Sequence, residues 1–292
     1  MLISSRKLLA LAALSTVLLS SCSLFDKDEP IPGYMYIENF TVVENPDGFG
    51  ANSPETGDEG SLSHKITDVW VYVDDNLLGC FEMPVTIPAL YTGVHHVKIR
   101  PGIKVNGIAA NRAPYPFYKT YEKDIDFSPG TRITVNPVTM YESFTHFVSM
   151  ENFEGVPNID TTSFSQTNLA QTNDPALVFE GAKSGLAILK NGKTFFECET
   201  PYKILPKSSL PVFLEMNYRC DRQVTVAVVA QSPFRAETIL NLNPTTQWNK
   251  IYLYLTPTVT PTSAINHKVL MFMGCEPSDS VAFQLDNVKI VY

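Results

Sequence analysis

Residues 68–79 read Asp68-Val-Trp-Val-Tyr-Val-Asp-Asp-Asn-Leu-Leu-Gly79, and this stretch decides the fold class. Val69, Val71 and Val73 alternate with Trp70 and Tyr72. A period of two puts successive side chains on opposite faces of a strand. Asp74, Asp75 and Asn76 then supply residues that tolerate positive φ, so a turn ends the strand. The same grammar repeats outward. Tyr34–Val43 is rich in aromatic and β-branched residues, a strand composition. Residues 44–63 collect Gly, Pro, Asn, Asp and Ser and read as a long loop. Val94–Arg100 reads as a strand followed by a Pro101-Gly102 turn. Strands at 119–127 and 131–138 are split by Ser128-Pro-Gly130. Beyond Phe147, strand patterns fall at 176–180, 186–190, 194–198, 212–218, 224–230, 251–255, 268–273 and 281–292. Helical periodicity is almost absent. The expectation is an all-β chain: two β-sandwich domains in tandem, 34–140 and 147–292.

The N-terminus carries a different signal. Arg6 and Lys7 precede an apolar run, Leu8–Leu19, of signal-peptide length and too short to span a bilayer. The run closes on Leu19-Ser-Ser-Cys22, which resembles a bacterial lipobox. The resemblance implies a signal peptide at 1–21, cleavage before Cys22, and lipid on the Cys22 thiol. The mature chain is then anchored to a membrane without a transmembrane helix. Residues 22–33, with Pro30, Pro32 and Gly33, read as an extended tether. Ser23 is not Asp, and Asp26-Lys-Asp-Glu29 resembles the cluster that sends Bacteroidota lipoproteins to the cell surface. The expected location is the outer membrane, displayed at the surface, with a periplasm-facing orientation as the alternative.

Composition narrows the function. The 292 residues are 44% hydrophobic and only 18% charged, with a formal net charge of −8. Loss of Arg6 and Lys7 takes this to about −10. An acidic surface repels phosphate backbones, so nucleic acid is not expected as a partner. Of five cysteines, Cys22 is assigned to the anchor. Cys80, Cys198, Cys220 and Cys275 form no C-x-x-C pair, which gives a zinc ribbon no support. Each lies in or beside an apolar strand, where a free thiol packs as a small hydrophobe. A bridge among the last three stays open in an oxidising compartment.

Two segments resemble known modules. Val71-Tyr-Val-Asp-Asp-Asn-Leu-Leu-Gly79, Pro84 and Tyr91-Thr-Gly-Val-His-His-Val-Lys-Ile-Arg-Pro-Gly102 resemble a PEGA-type module. That resemblance implies a small non-catalytic sandwich, of PEGA or immunoglobulin-like type. Asn152-Phe-Glu-Gly155, Gln247-Trp-Asn-Lys-Ile-Tyr-Leu253 and Phe283-Gln-Leu-Asp-Asn-Val-Lys-Ile290 resemble the jelly-roll, galactose-binding-like carbohydrate-binding modules. Function does not follow from that fold alone. The resemblance further implies a structural calcium ion, with Glu154 and Asp286 at the matching places, and a Trp248 packed into the core.

No nucleophile elbow, phosphate loop or His-Glu-x-x-His motif occurs. His95 and His96 are adjacent on a strand and point to opposite sides, so they do not chelate one ion. A glycosidase needs two converging carboxylates. Glu197, Glu199 and Glu215 read instead as a solvated sheet face. Sugar binding calls for exposed rings. Tyr252 and Tyr254 share a strand face opposite Ile251, Leu253 and Leu255, which points them outward as a stacking platform. Tyr115, Phe117 and Tyr118, set between prolines, read as an exposed contact surface for protein or glycan. The expected function is non-enzymatic: adhesion or accessory binding in a cell-envelope complex, or alternatively glycan binding by the jelly roll.

Overall fold

In a computed structural model of the chain, residues 29–50, 59–207 and 210–292 are described. The expected signal peptide, Cys22 and most of the acidic cluster after it lie outside the described residues. The fold is all-β.

The first sandwich holds β1 (Gly33–Ile37), β2 (Thr41–Val42), β3 (Asp68–Val73), β4 (Asn76–Glu82), β5 (Val85–Ala89), β6 (Gly93–Lys104), β7 (Arg112–Pro114), β8 (Tyr121–Phe127), β9 (Arg132–Val135) and β10 (Val138–Thr139). One sheet runs β4-β3-β6-β7 with β8 also on β6. A second runs β5-β1-β9, and β10 pairs with β2. Val69, Val71 and Val73 are fully buried against Met35, Ile37, Val97 and Ile99. Asp74 and Asp75 take φ of 47° and 65°, and Val73 sits opposite Asn76. Two consecutive positive-φ residues make a tight turn whose twist matches that of the flanking strands.

Pro101 and Gly102 do not form the expected turn. β6 continues through them to Lys104, with Pro101 opposite Val69 and Gly102 opposite both Asp68 and Pro114. The Pro101 carbonyl accepts the Tyr115 N–H at 2.8 Å, and the Gly102 carbonyl accepts the Thr67 N–H at 3.1 Å. A Cβ on Gly102 would lie 3.0 Å from the Asp68 carbonyl oxygen, so the glycine serves close strand approach rather than a bend.

The second sandwich holds β11 (Phe147–Glu151), β12 (Asp160–Thr161), β13 (Ala170–Thr172), β14 (Ser184–Leu189), β15 (Phe195–Glu199), β16 (Lys203–Ile204), β17 (Phe213–Cys220), β18 (Val224–Ala230), β19 (Arg235–Leu242) and β20 (Thr245–Tyr254). A short helix α1 (Thr256–Val259), β21 (Asn266–Gly274) and β22 (Val281–Val291) complete it. One sheet runs β13-β14-β22-β17-β20 with β11 on β22; the other runs β12-β15-β21-β18-β19 with β16 on β21. Phe196, Met271, Val226, Leu253, Phe283 and Ile290 fill the space between them.

Two segments depart from the sequence pattern. Residues 176–180 are turns, because the Asp174 side chain accepts the Ala176 N–H and its carbonyl accepts Leu177 and Val178. An aspartate that caps its own following backbone competes with strand pairing. β19 was hidden because its pairing with β18 shifts register between Val226 and Ala227. Such a bulge breaks the period of two.

A second bulge matters more. On β22, Lys289 pairs with Glu215 and Asp286 with Asn217, so three steps on β22 face two on β17. Asn287 is the extra residue, at φ 47°. It lets Phe283 and Leu285 before it, and Val288 and Ile290 after it, share the inward face.

Candidate functional site

The two sheets of the second sandwich have unlike outer faces. On the β22-β17-β20 sheet the outward residues are Phe213 and Glu215, beside Tyr252, Tyr254, Lys289 and Val291. Phe147, Phe213, Tyr252 and Val291 belong to the same apolar cluster as the core of the first sandwich. The face is therefore covered by the neighbouring sandwich.

The covering element is the Ala113-Pro-Tyr-Pro-Phe-Tyr118 segment with Tyr141. Pro114 and Pro116 stiffen the backbone, and Tyr115 stacks edge-on to Phe213 at 5.2 Å and lies 4.9 Å from Tyr252. Tyr115, Phe117 and Tyr118 are 1%, 1% and 4% exposed. The expected contact surface exists, but its partner is the other half of the same chain. Tyr252 and Tyr254 do lie opposite Ile251, Leu253 and Leu255, but not in solvent. Tyr252 is 2% exposed and Tyr254 half-buried, which removes them as a sugar platform.

Charge is sealed into this joint. Glu215 is fully buried, not on a solvated face. It accepts the Tyr115 hydroxyl at 2.6 Å and the Tyr141 hydroxyl at 2.9 Å, and it pairs with Lys250 at 3.1 Å. Burial alone would push its carboxyl up. Lys250, Lys289 and the two phenols reverse this and hold it below the ordinary carboxylate value. Burial pushes Lys289 down to about 8, against the pull of Glu215. Lys289 donates to the Ser61 carbonyl at 2.6 Å and lies 5.0 Å from the Tyr141 ring. Residues 61–65, the end of the expected 44–63 loop and the two residues after it, strap this face: Ser63 accepts the Asn217 amide at 2.9 Å, and the Lys65 N–H reaches the Tyr252 hydroxyl at 3.1 Å. The signal for this joint in the sequence was a Glu in Phe213-Leu-Glu-Met216 and a Lys in Val288-Lys-Ile-Val291, opposite charges in apolar stretches of two strands.

The β15-β21-β18-β19 sheet faces outward with half-buried side chains. Phe196, Cys198, Met271, Met273, Val224 and Val226 point inward, so Phe195, Glu197, Phe272, Leu270 and Thr225 point out. One row across the strands reads Glu197, Phe272, Thr225, Asn241. The Phe195 and Phe272 rings are 6.3 Å apart, and Lys268 lies 4.7 Å from the Tyr202 ring. Ala227 is 4% exposed although it points outward, a low floor between Leu270 and the β19 edge. Among the described residues, the hydrogen bonds, ion pairs and ring contacts of these side chains stay within the second sandwich: Glu197 with Thr162, Glu199 with Lys268, Thr225 with Asn241.

The remaining candidates fall apart from each other. Glu154 accepts the Ala182 and Lys183 N–H groups at 2.7 and 3.0 Å. Asp286 accepts the Ser184 hydroxyl at 2.5 Å and the Asn287 N–H at 2.8 Å, and burial pushes its carboxyl up to about 6. Among the described residues, no three His, Cys, Asp or Glu side chains converge as metal ligands. Glu154 thus accepts backbone donors, and Asp286 a hydroxyl and a backbone donor. His95 pairs with Asp74 at 2.6 Å and His96 with Asp124 at 2.8 Å, so the two rings go to separate carboxylates. Trp248 is not in the core. It sits half-buried on the outside against Phe179 at 5.3 Å and Arg219 at 5.8 Å. Cys80, Cys198, Cys220 and Cys275 are free thiols, and burial pushes the Cys220 thiol up to about 11.

No protein-family model matches the chain, and no curated protein matches it. Solved structures do. A xylan-binding domain of carbohydrate-binding module family 22 is 14% identical, covers 49% of this chain and 93% of its own, and superposes with a TM-score of 0.35. A family 29 carbohydrate-binding module in complex with mannohexaose is 11% identical, with 50% and 90% covered and a TM-score of 0.34. The cleaved adhesin domain of Lys-gingipain from Porphyromonas gingivalis is 19% identical, with 50% and 98% covered and a TM-score of 0.36.

Proposed function

We propose that this chain is a non-catalytic glycan-binding protein, held at the outer membrane by lipid on Cys22 and displayed at the cell surface. The observation that carries the binding reading is the uncovered sheet of the second sandwich, with Phe195, Phe272 and Tyr202 beside Glu197, Thr225 and Asn241. Rings at strand spacing stack on the C–H faces of pyranoses, and the flanking polar groups meet hydroxyls. The non-catalytic reading is supported by where the strongly perturbed groups lie. Glu215 and Lys289 are sealed in the joint and partnered there, not poised in an open cleft. The exposed loop side chains Phe164 and Phe234, at 77% and 75%, favour a second reading in which an envelope protein is the partner.

A glycan array with the full-length protein, followed by affinity measurement on the best ligand, separates the two. Phe272→Ala should weaken glycan binding about 10- to 100-fold, the loss of one buried aromatic contact worth roughly 1.5–3 kcal/mol. Its melting temperature should stay within a few degrees of the parent. Retention of no glycan, or unchanged affinity in Phe272→Ala and Phe195→Ala, would leave the protein-partner reading in place. The anchor is tested separately: Cys22→Ser should shift the protein from the outer-membrane fraction to the soluble fraction.

A further inference from the structure

Between the two sandwiches lies a cavity of about 280 Å³, close to the lower end of the size range of small-molecule sites. The first sandwich contributes Lys65 and Lys104, and the second contributes Lys250, Asn241, Asn249 and Tyr218. Lys65, Lys104 and Lys250 and no Asp or Glu line it, in a chain whose net charge is −8, and the Lys250 ammonium itself is enclosed against Glu215. Lys104 leans on Glu82 at 2.7 Å and Lys250 on Glu215 at 3.1 Å, but both carboxylates lie outside the lining. The Lys65 ammonium contacts a neutral group, the Asn249 side-chain oxygen. Burial, and then Lys104, hold Lys65 below its ordinary value, so an anion between the two lysines would relieve repulsion already present. The walls are amide- and hydroxyl-rich: Asn249 donates to the Tyr218 hydroxyl at 3.0 Å, and Asn241 is exposed on the rim. Amides and hydroxyls at hydrogen-bonding distance suit a polyhydroxylated ring, and ammonium groups suit a carboxylate attached to it.

We infer that this cavity is a second binding site, for a carboxylate-bearing sugar unit such as a uronic acid. It meets the uncovered sheet only along the β19 edge at Asn241, and it does not depend on the rings of that sheet binding anything. Its two halves come from different sandwiches, so the site exists only while the joint is closed. The docking is held partly by Asn106, whose side-chain oxygen accepts the Tyr254 N–H at 2.8 Å.

The test is calorimetric titration of the full-length protein with glucuronic acid, with glucose and inorganic phosphate as comparison probes. Glucuronic acid should bind, glucose and phosphate should bind at least tenfold more weakly, and added salt should weaken the complex. Lys65→Gln and Lys104→Gln should each cost about tenfold or more, as loss of a charge-assisted contact. Lys65→Arg should retain most of the binding, which guards against a folding artefact, and thermal melts of every variant check the fold. Phe272→Ala should leave glucuronic acid binding unchanged. The inference is overturned if glucuronic acid shows no binding at about 10 mM, roughly tenfold above a Kd of 1 mM. It is equally overturned if phosphate or glucose binds as well, if the lysine-to-glutamine variants bind like the parent, or if Phe272→Ala abolishes the signal.

Discussion

Glu215→Gln should lower stability by roughly 3–5 kcal/mol, the usual cost of removing one partner from a buried ion pair. Among the described residues, Glu215 is the carboxylate in contact with Lys250, Tyr115 and Tyr141. Without its charge, Lys250 and Lys289 stay buried at 5% and 1% exposure; Lys250 loses its paired anion, and Lys289 loses the largest of the attractions that support its charge. A glutamine can still accept from one phenol, so the loss is mainly electrostatic. Denaturant titration followed by tyrosine fluorescence measures it. Replacing Glu215, Lys250 and Lys289 together by Met should recover most of the loss, because removing a whole buried ionic cluster is often neutral. The acid side is diagnostic as well. Glu215's folded carboxyl lies below its unfolded value, so its contribution is full above that unfolded value and is lost as pH falls through the folded one. Wild-type protein should lose stability there, and Glu215→Gln should lack that part of the acid limb. Lys289 shifts stability in the same direction with pH, but as a penalty at neutral pH. Its folded value of about 8 lies below the unfolded 10.5, so folding opposes its proton, and the penalty shrinks as pH rises between the two.

Deleting Asn287 should remove the bulge and leave the second sandwich cooperative. Asn287 is the extra residue where three steps on β22 face two on β17. With it removed, Asp286 to Lys289 spans two steps against Asn217 to Glu215. Strict alternation from Phe283 and Leu285 then keeps Val288 and Ile290 inward and Lys289 outward beside Glu215. The expected losses are the contact from the Asn287 amide to Glu180 at 2.9 Å and the local twist that a bulge imposes. Calorimetry should show a single sharp transition at a lower temperature than the parent's. Asn287→Gly keeps the positive φ and the residue count, so it should lose only the Glu180 contact. Loss of the cooperative transition in the deletion variant would show that the bulge itself, and not the alternation alone, is required.

Much of the architecture was legible from local pattern. The alternation of Val69, Val71 and Val73 placed all three in the core, and the pattern at 224–230 coincides with β18. The pairing of Tyr252 with Tyr254, opposite Ile251, Leu253 and Leu255, was also right as geometry. The site reading failed one step later. Alternation says that two residues share a face and is silent on whether water or another sheet lies against it. Tyr115, Phe117 and Tyr118 failed in the same way, since prolines around aromatics look alike on an open loop and in a buried joint. Pro101-Gly102 failed for a different reason. The pair has two local uses, turn or strand. The choice depends on partners more than ten residues away, such as Tyr115 for the Pro101 carbonyl.

By itself, then, the sequence determined that the chain is built of strands, roughly where they run, and which side chains of each strand lie together. Those properties follow from backbone sterics and the two-residue period, which are local. Tertiary structure alone decided which of the two outer faces of the second sandwich stays open. Covering one face with Tyr115, Tyr141 and residues 61–65 turned Glu215, Lys250 and Lys289 from surface charges into a buried joint. It left Phe195 and Phe272 on the other face, and it made a cavity between Lys65, Lys104 and Lys250 that neither sandwich contains alone. The reason is that burial and electrostatics depend on what lies within a few ångströms in space, and the neighbours across this joint are 74 to 228 residues apart in the chain.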